Sequence, residues 1–232
     1  MADFSPIQPV SLREKVAEQI RTAIIEGRLK PNDHIVEASL TQQLGVSRTP
    51  VREALILLER EALIVSLPHR GSFVRAFDEQ DVKAIFTMRT TLENFAGELV
   101  IDHLTETDFV ELQQMVDRQR HYIDQDNFKL VRSTDMAFHA YLVNRSNHPV
   151  LFRNWQEIVA QIAAVLYLRA EAQLPEMDEY RAISDHLSII GALRARDVER
   201  LRAENRRINQ RVMEECILAV RLLSEGGQPE PM

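Results

Sequence analysis

Three residues combine the chemistry and the spacing to hold a cation: Asp135, His139 and His186. Asp135-x3-His139 places a carboxylate and an imidazole one helical turn apart, on one side of a helix. The run Phe128, Val131, Asp135, Phe138, Leu142 has helical period and turns that side toward a core, with His139 beside Phe138. His186 has Ile183, Ile190 and Leu193 around it at helical spacing, so it points inward as well. A buried carboxylate or imidazole must be paired or coordinated, because an unpartnered buried charge is very costly. Imidazole with carboxylate suits a divalent transition metal of the zinc or nickel class. An Asp–His hydrogen bond, with each histidine a satisfied core residue, accounts for the same pattern without an ion. His103, His121 and His148 fall at helix ends or on polar faces and read as solvated.

Arg89 stands on a helix whose Met88, Leu92 and Phe95 form an apolar side, with Glu93 four residues on. A surface Arg–Glu pair at this spacing contributes little. The functional alternative is a guanidinium that anchors the carboxylate of an effector. Further along, Val198, Leu201, Asn205, Ile208 and Val212 make an inward stripe in which Asn205 is the polar member and Asn209 its close neighbour. Asn205 is thus a candidate effector contact.

A second cluster suits nucleic acid. Ser47-Arg48-Thr49-Pro50-Val51-Arg52 opens a helix whose Val51, Ala54, Leu55 and Leu58 face inward. Arg48, Thr49 and Arg52 are left on the outer side near the helix start. Two arginines one turn apart can each reach a guanine edge or a phosphate, and free N–H groups at a helix start favour anions. Pro68-His69-Arg70-Gly71 forms a basic turn after it, with Arg70 and Gly71 able to approach a DNA backbone. An ordinary solvated face is the competing reading for any one of these arginines.

The elements that must position these groups follow from period and punctuation. Ser11 to Gly27 reads as a helix, Pro31-Asn32-Asp33 as a turn and Glu37 to Leu44 as a short helix closed by Gly45. Ser47 caps a third helix running to about Arg60, with Pro50 in its first turn. Leu63–Leu67 and Ser72–Phe77 then read as a hairpin. From Asp78 to about Ser224 the period is helical throughout. Breaks near His103-Leu104-Thr105, Gln125-Asp126, Asn147-His148-Pro149, Leu174-Pro175 and Arg196-Asp197 give about six helices. The tail from Glu225 should fray. The fold expected is mainly α: a winged helix-turn-helix of three helices plus a β-hairpin wing over residues 1–77, and an all-α bundle over 78–232.

Composition permits this division. The chain has 232 residues, 45% hydrophobic and 27% charged, which supports packed cores. Its net charge of −7 looks wrong for a DNA binder. Residues 1–77, however, carry ten Lys/Arg against nine Asp/Glu, so the acidity lies behind them. No apolar run approaches the roughly 18 residues of a membrane span. Met1 to Val10 lacks the pattern of a signal peptide, and the lone Cys216 forms no internal disulfide; a reducing cytoplasm is the expected setting.

Leu40–Leu55 (LTQQLGVSRTPVREAL) and Pro68–Val74 (PHRGSFV) closely resemble the signature of the GntR family of transcriptional regulators. The resemblance implies DNA contacts from Arg48, Thr49, Arg52, Arg70 and Gly71. Some relatives add an arginine on the preceding helix, where this chain reads Glu37-Ala38-Ser39. Residues 80–224 resemble the helical domain of the FadR subfamily, through Arg89-x3-Glu93, Asp135-Met-Ala-Phe-His139, Ser146-Asn147-His148-Pro149 and Asp185-His186. In metal-containing members an Asp and three His bind the ion, and an organic acid completes its shell. Asp135, His139 and His186 match three of those positions; the fourth falls on Ile208, which cannot ligate. The implied protein is a sequence-specific regulator, a repressor by the habit of the family. It would work as a homodimer on a palindromic operator and be controlled by a small carboxylate. A metal-dependent hydrolase is the rival class, but no general base or nucleophile accompanies the three ligands at diagnostic spacing.

Overall fold

A computed structural model describes residues 11–174, 178 and 180–225. The leader reading at Met1–Val10, the break at Pro175 and the tail beyond Glu225 lie outside them. The chain divides into two compact units, Met1–Ala76 and Phe77–Met232.

In the first unit, α1 (Leu12–Ile25), α2 (Glu37–Leu44) and α3 (Arg48–Arg60) surround a small core, with β1 (His34–Ile35), β2 (Ile64–Leu67) and β3 (Gly71–Val74) forming a sheet. Val16, Ala17, Ile20, Ala23 and Ile24 of α1 are buried, as are Val51, Ala54, Leu55 and Leu58 of α3. A half-buried ion pair fastens the two helices: Arg21 Nε and Nη2 donate to the two Glu61 oxygens at 2.7 and 2.6 Å. Gly45 ends α2 at φ +63°, the left-handed conformation that lets the chain turn straight into α3. Ser47 occupies the N-cap of α3 but its hydroxyl makes no capping bond, unlike the cap the sequence pattern predicts.

The sheet order is β1-β3-β2, all antiparallel, so the hairpin gains a third strand. Two residues are too few to show alternation, which hides β1 in the sequence. Its His34 stacks on Phe73 of β3, with ring centroids 4.8 Å apart.

The second unit is helical among its described residues: α4 (Glu79–Val100), α5 (Glu106–Asp124), α6 (Phe128–Arg145), α7 (Pro149–Glu171), α8 (Tyr180–Arg194) and α9 (Val198–Glu225). Side-chain caps mark several starts. Asp78 accepts from Asp81 N–H and Asn127 from Leu130 N–H. His148 Nδ1 accepts from Leu151 N–H at 3.0 Å, so this histidine caps the start of α7 and is half-buried, not freely solvated. Phe109, Leu112, Val116, Phe138, Leu142, Ile189, Leu193 and Leu201 belong to one buried core. Helices α4 and α9 approach so closely at Gly97 that a Cβ there would lie 2.5 Å from Leu201 Cδ2.

Three apolar side chains depart from the expected stripes. Phe128, placed inward by periodicity, is 40% exposed; Met88 and Phe95 on α4 are 46% and 41% exposed while Leu92 is buried. No helix among the described residues is long and apolar enough to cross a membrane.

Candidate functional site

Four helices deliver the cation-binding candidates to one place in the second unit. Asp135 and His139 come from α6, His186 from α8, Arg89 and Glu93 from α4, and Gln119 from α5. Their donor atoms are close: one ligand atom from each of Asp135, His139 and His186 lies within 4.8 Å of the others. His186 Nε2 is 3.4 Å from His139 Nε2 and 3.3 Å from Asp135 Oδ1.

The neighbours of the two imidazoles decide which nitrogen carries the proton. His139 Nδ1 faces Glu93 Oε1 at 2.9 Å, and His186 Nδ1 faces Gln119 Oε1 at 2.9 Å. Each Nδ1 therefore donates to an oxygen, and each Nε2 presents its lone pair to the other. Phe138 stacks on the His186 ring at 4.1 Å and fixes its plane. In that neutral tautomer two lone pairs and a carboxylate oxygen converge. A second proton on His186 would relieve this, but burial pushes its pKa down, with His139 and Arg89 adding to the effect and Asp135 opposing it. Burial also disfavours the Asp135 carboxylate, yet the facing His186, with His139 and the charge of Arg89, outweighs it and holds the group well below the usual range. The group suits a divalent cation by donor type and by orientation, with Glu93 and Gln119 as the outer partners that such histidines require.

Glu93 is the hub behind the site. Its Oε1 accepts from Arg89 Nε at 2.8 Å as well as from His139, and its Oε2 accepts from Asn209 Nδ2 at 2.8 Å. The Arg89–Glu93 pair is buried, at 3% and 6% exposure, so the weak surface pair read as an alternative does not apply. Burial alone would raise the Glu93 carboxyl, but Arg89 and His139 outweigh it and hold it at about 2. Arg89 Nη2 also stands 3.8 Å from Asp135 Oδ2.

A cavity of about 50 Å³ adjoins the three candidate ligands. Arg89, Arg169 and Arg211 line it, with Ile208 among its apolar walls. Asn205 does not line it: its Nδ2 donates to Asn94 Oδ1 at 3.0 Å, which ties α9 to α4 instead. Cys216 is buried, its thiol pushed up by burial to about 12.

Sequence reading found Arg89 but missed Gln119 and two further cavity arginines, Arg169 and Arg211. Gln119 carried a signal: it interrupts the buried series Leu112, Val116, Ile123 on α5 at helical spacing. Arg169 and Arg211 carried none: Arg169 meets its partner Glu215 across 46 positions, and Arg211 pairs with the same Glu215 at an ordinary helical spacing of four.

In the first unit, Arg48, Thr49 and Arg52 are exposed along the start of α3, and Arg70 and Gly71 are exposed at the wing. Arg48 and Gly71 line one groove of about 300 Å³, together with His34, Glu37, Ala38 and Ser72. Gly71 has φ +91°, and a Cβ there would meet His34 Nε2 at 2.7 Å. Its close approach is thus already to a neighbour within the protein.

Comparison with known proteins agrees with both halves. Residues 12–74 match the bacterial regulatory proteins of the gntR family, and residues 84–211 match the FCD domain. The HTH-type transcriptional regulator McbR of Escherichia coli is 28% identical over 200 residues, covering 86% of this chain and 90% of its own. The gluconate operon transcriptional repressor of Bacillus licheniformis is 27% identical over 225 residues, covering 93% and 90%. The solved structure of E. coli McbR/YncC superposes with a TM-score of 0.79 at 26% identity, over 90% of this chain and 99% of that one. A GntR-type regulator from Rhodococcus sp. RHA1 shares the fold, with a TM-score of 0.76 at 21% identity. With a winged helix that matches one domain and a ligand-binding helical unit that matches the other, the chain belongs to the GntR family of transcriptional regulators, in its FCD-containing branch.

Proposed function

We propose that this regulator is a metal-dependent repressor: a divalent transition ion held by Asp135, His139 and His186 forms, with Arg89, the seat of a small organic-acid effector. The observation that carries this is the pair of imidazole Nε2 atoms, 3.4 Å apart beside Asp135, with both Nδ1 atoms committed to outer partners. A bound zinc- or nickel-class ion supplies a Lewis-acidic centre for an anionic oxygen. The residues of the chain do the rest. Glu93 and Gln119 fix the two rings, and Arg89 adds a buried positive charge at the cavity wall. Ile208, where a fourth histidine would stand by family resemblance, contributes only an apolar wall, so three side chains make up the protein's share of the shell.

DNA contact falls to Arg48, Thr49 and Arg52 on α3 and to Arg70 and Gly71 on the wing. A homodimer would present two such faces about one helical turn of DNA apart, over a palindromic operator. The exposed Met88 and Phe95 on α4, with Val150 at 49% on α7, supply apolar surface for that association. Repression is carried over from the B. licheniformis relative. The cytoplasmic setting is that of the DNA it would bind.

The test is operator binding by the full chain at about 150 mM salt, where non-specific association is weak. Binding to its own upstream DNA should exceed binding to random duplex, and a panel of organic acids with zinc or nickel should shift that affinity. Equal affinity for both duplexes would overturn the regulatory reading.

A further inference from the structure

Glu37 opens α2, and its Oε2 accepts from Arg52 Nε on α3 at 2.8 Å. The two residues are 15 positions apart on different helices, so the bond is not a by-product of helical spacing. Their side chains are 37% and 63% exposed, and an ion pair this open contributes little to stability. Glu37 also lines the groove shared by Arg48 and Gly71. A carboxylate therefore stands among the cations proposed above to face DNA. Facing a polyanion, it weakens association, so its use must lie in what it does to Arg52.

A guanidinium has two edges for paired hydrogen bonds: the side edge through Nε and one Nη, and the end formed by Nη1 and Nη2. Glu37 occupies Nε, which leaves the end free. Guanine offers O6 and N7 in the major groove at the spacing of that fork. A phosphate would take either edge, and an untethered arginine follows the phosphates.

We propose that Glu37 is a positioning residue for DNA reading: it holds Arg52 by Nε for end-on recognition of a guanine and repels the phosphates that would draw Arg52 away. Glu37 thereby sets sequence preference at the expense of total affinity. This rests on the DNA-reading role given to α3.

The experiment uses the full chain with Glu37→Gln, Glu37→Ala and Arg52→Ala. Duplexes recovered by the wild-type protein from a randomised library serve as specific probes, and a scrambled duplex as the non-specific one. Both Glu37 variants should bind the scrambled duplex more tightly. Their specific-to-non-specific ratio should fall about tenfold, the scale of one bidentate base contact. Selection repeated with either variant should lose the guanine that Arg52→Ala also loses. An unchanged motif and ratio in both Glu37 variants, with the guanine lost in Arg52→Ala, overturns the positioning role alone. Recovery of the wild-type motif by Arg52→Ala overturns the DNA-reading assignment and this proposal with it.

Discussion

Replacing Glu93 by glutamine keeps the shape of the hub and removes its charge. Arg89 Nε, His139 Nδ1 and Asn209 Nδ2 all donate to the two Glu93 oxygens, and a glutamine has only one oxygen to offer. Its amide must turn two hydrogens toward one of these donors, and Arg89 remains buried with the Asp135 carboxylate at 3.8 Å. Removing one member of a buried pair costs about 3–5 kcal/mol. The carboxyl itself gives a concordant figure: held at about 2 against an ordinary 4.5, it corresponds to about 3 kcal/mol of preference for the ionised form. Because the folded value is depressed, this stabilisation is present above pH 4.5 and is lost as pH falls from 4.5 toward 2. Urea unfolding near pH 7 should show Glu93→Gln destabilised by about 3 kcal/mol, and its stability should vary less with acid than the wild type. A loss under about 1 kcal/mol, the worth of an exposed pair, would refute the buried hub.

Other perturbations separate backbone, surface and core effects. Gly45→Ala places a side chain at φ +63° in open space and should cost about 1 kcal/mol, whereas Gly71→Ala adds a contact of 2.7 Å with His34 and should melt the wing unit earlier. Thermal unfolding that ranks the two in reverse would contradict the wing packing. Arg70→Ala should lower the slope of log affinity against log salt by about 1, the signature of one lost phosphate contact. Cys216, with its thiol at about 12 and no exposure, should resist a thiol reagent at pH 8 until the chain unfolds.

Periodicity carried the helical frame because most of each helix's buried face is apolar and continuous, as in α3 and α8. It failed where tertiary packing, not period, decides exposure: Phe128 and Phe95 sit on helical stripes yet face outward. Strand β1 escaped because its two residues gain their place only from pairing with β3. At the site, Asp135, His139 and His186 were legible because polar residues interrupted apolar stripes. Asn205 interrupts one too, but its partner is Asn94 across the α4–α9 contact, a pairing set by helix packing and invisible in a single stripe. The hub role of Glu93 likewise needed two other helices, α6 and α9, to be in place.

The central claim is that Asp135, His139 and His186 form a cation site. Calorimetric titration of zinc or nickel into chelator-treated full-length protein tests it most directly. The wild type should bind a single ion per chain and gain about 2.7 kcal/mol of stability at a hundredfold excess over Kd, and His186→Ala should lose the binding. Equal binding by wild type and His186→Ala, or none by the wild type, would contradict the account.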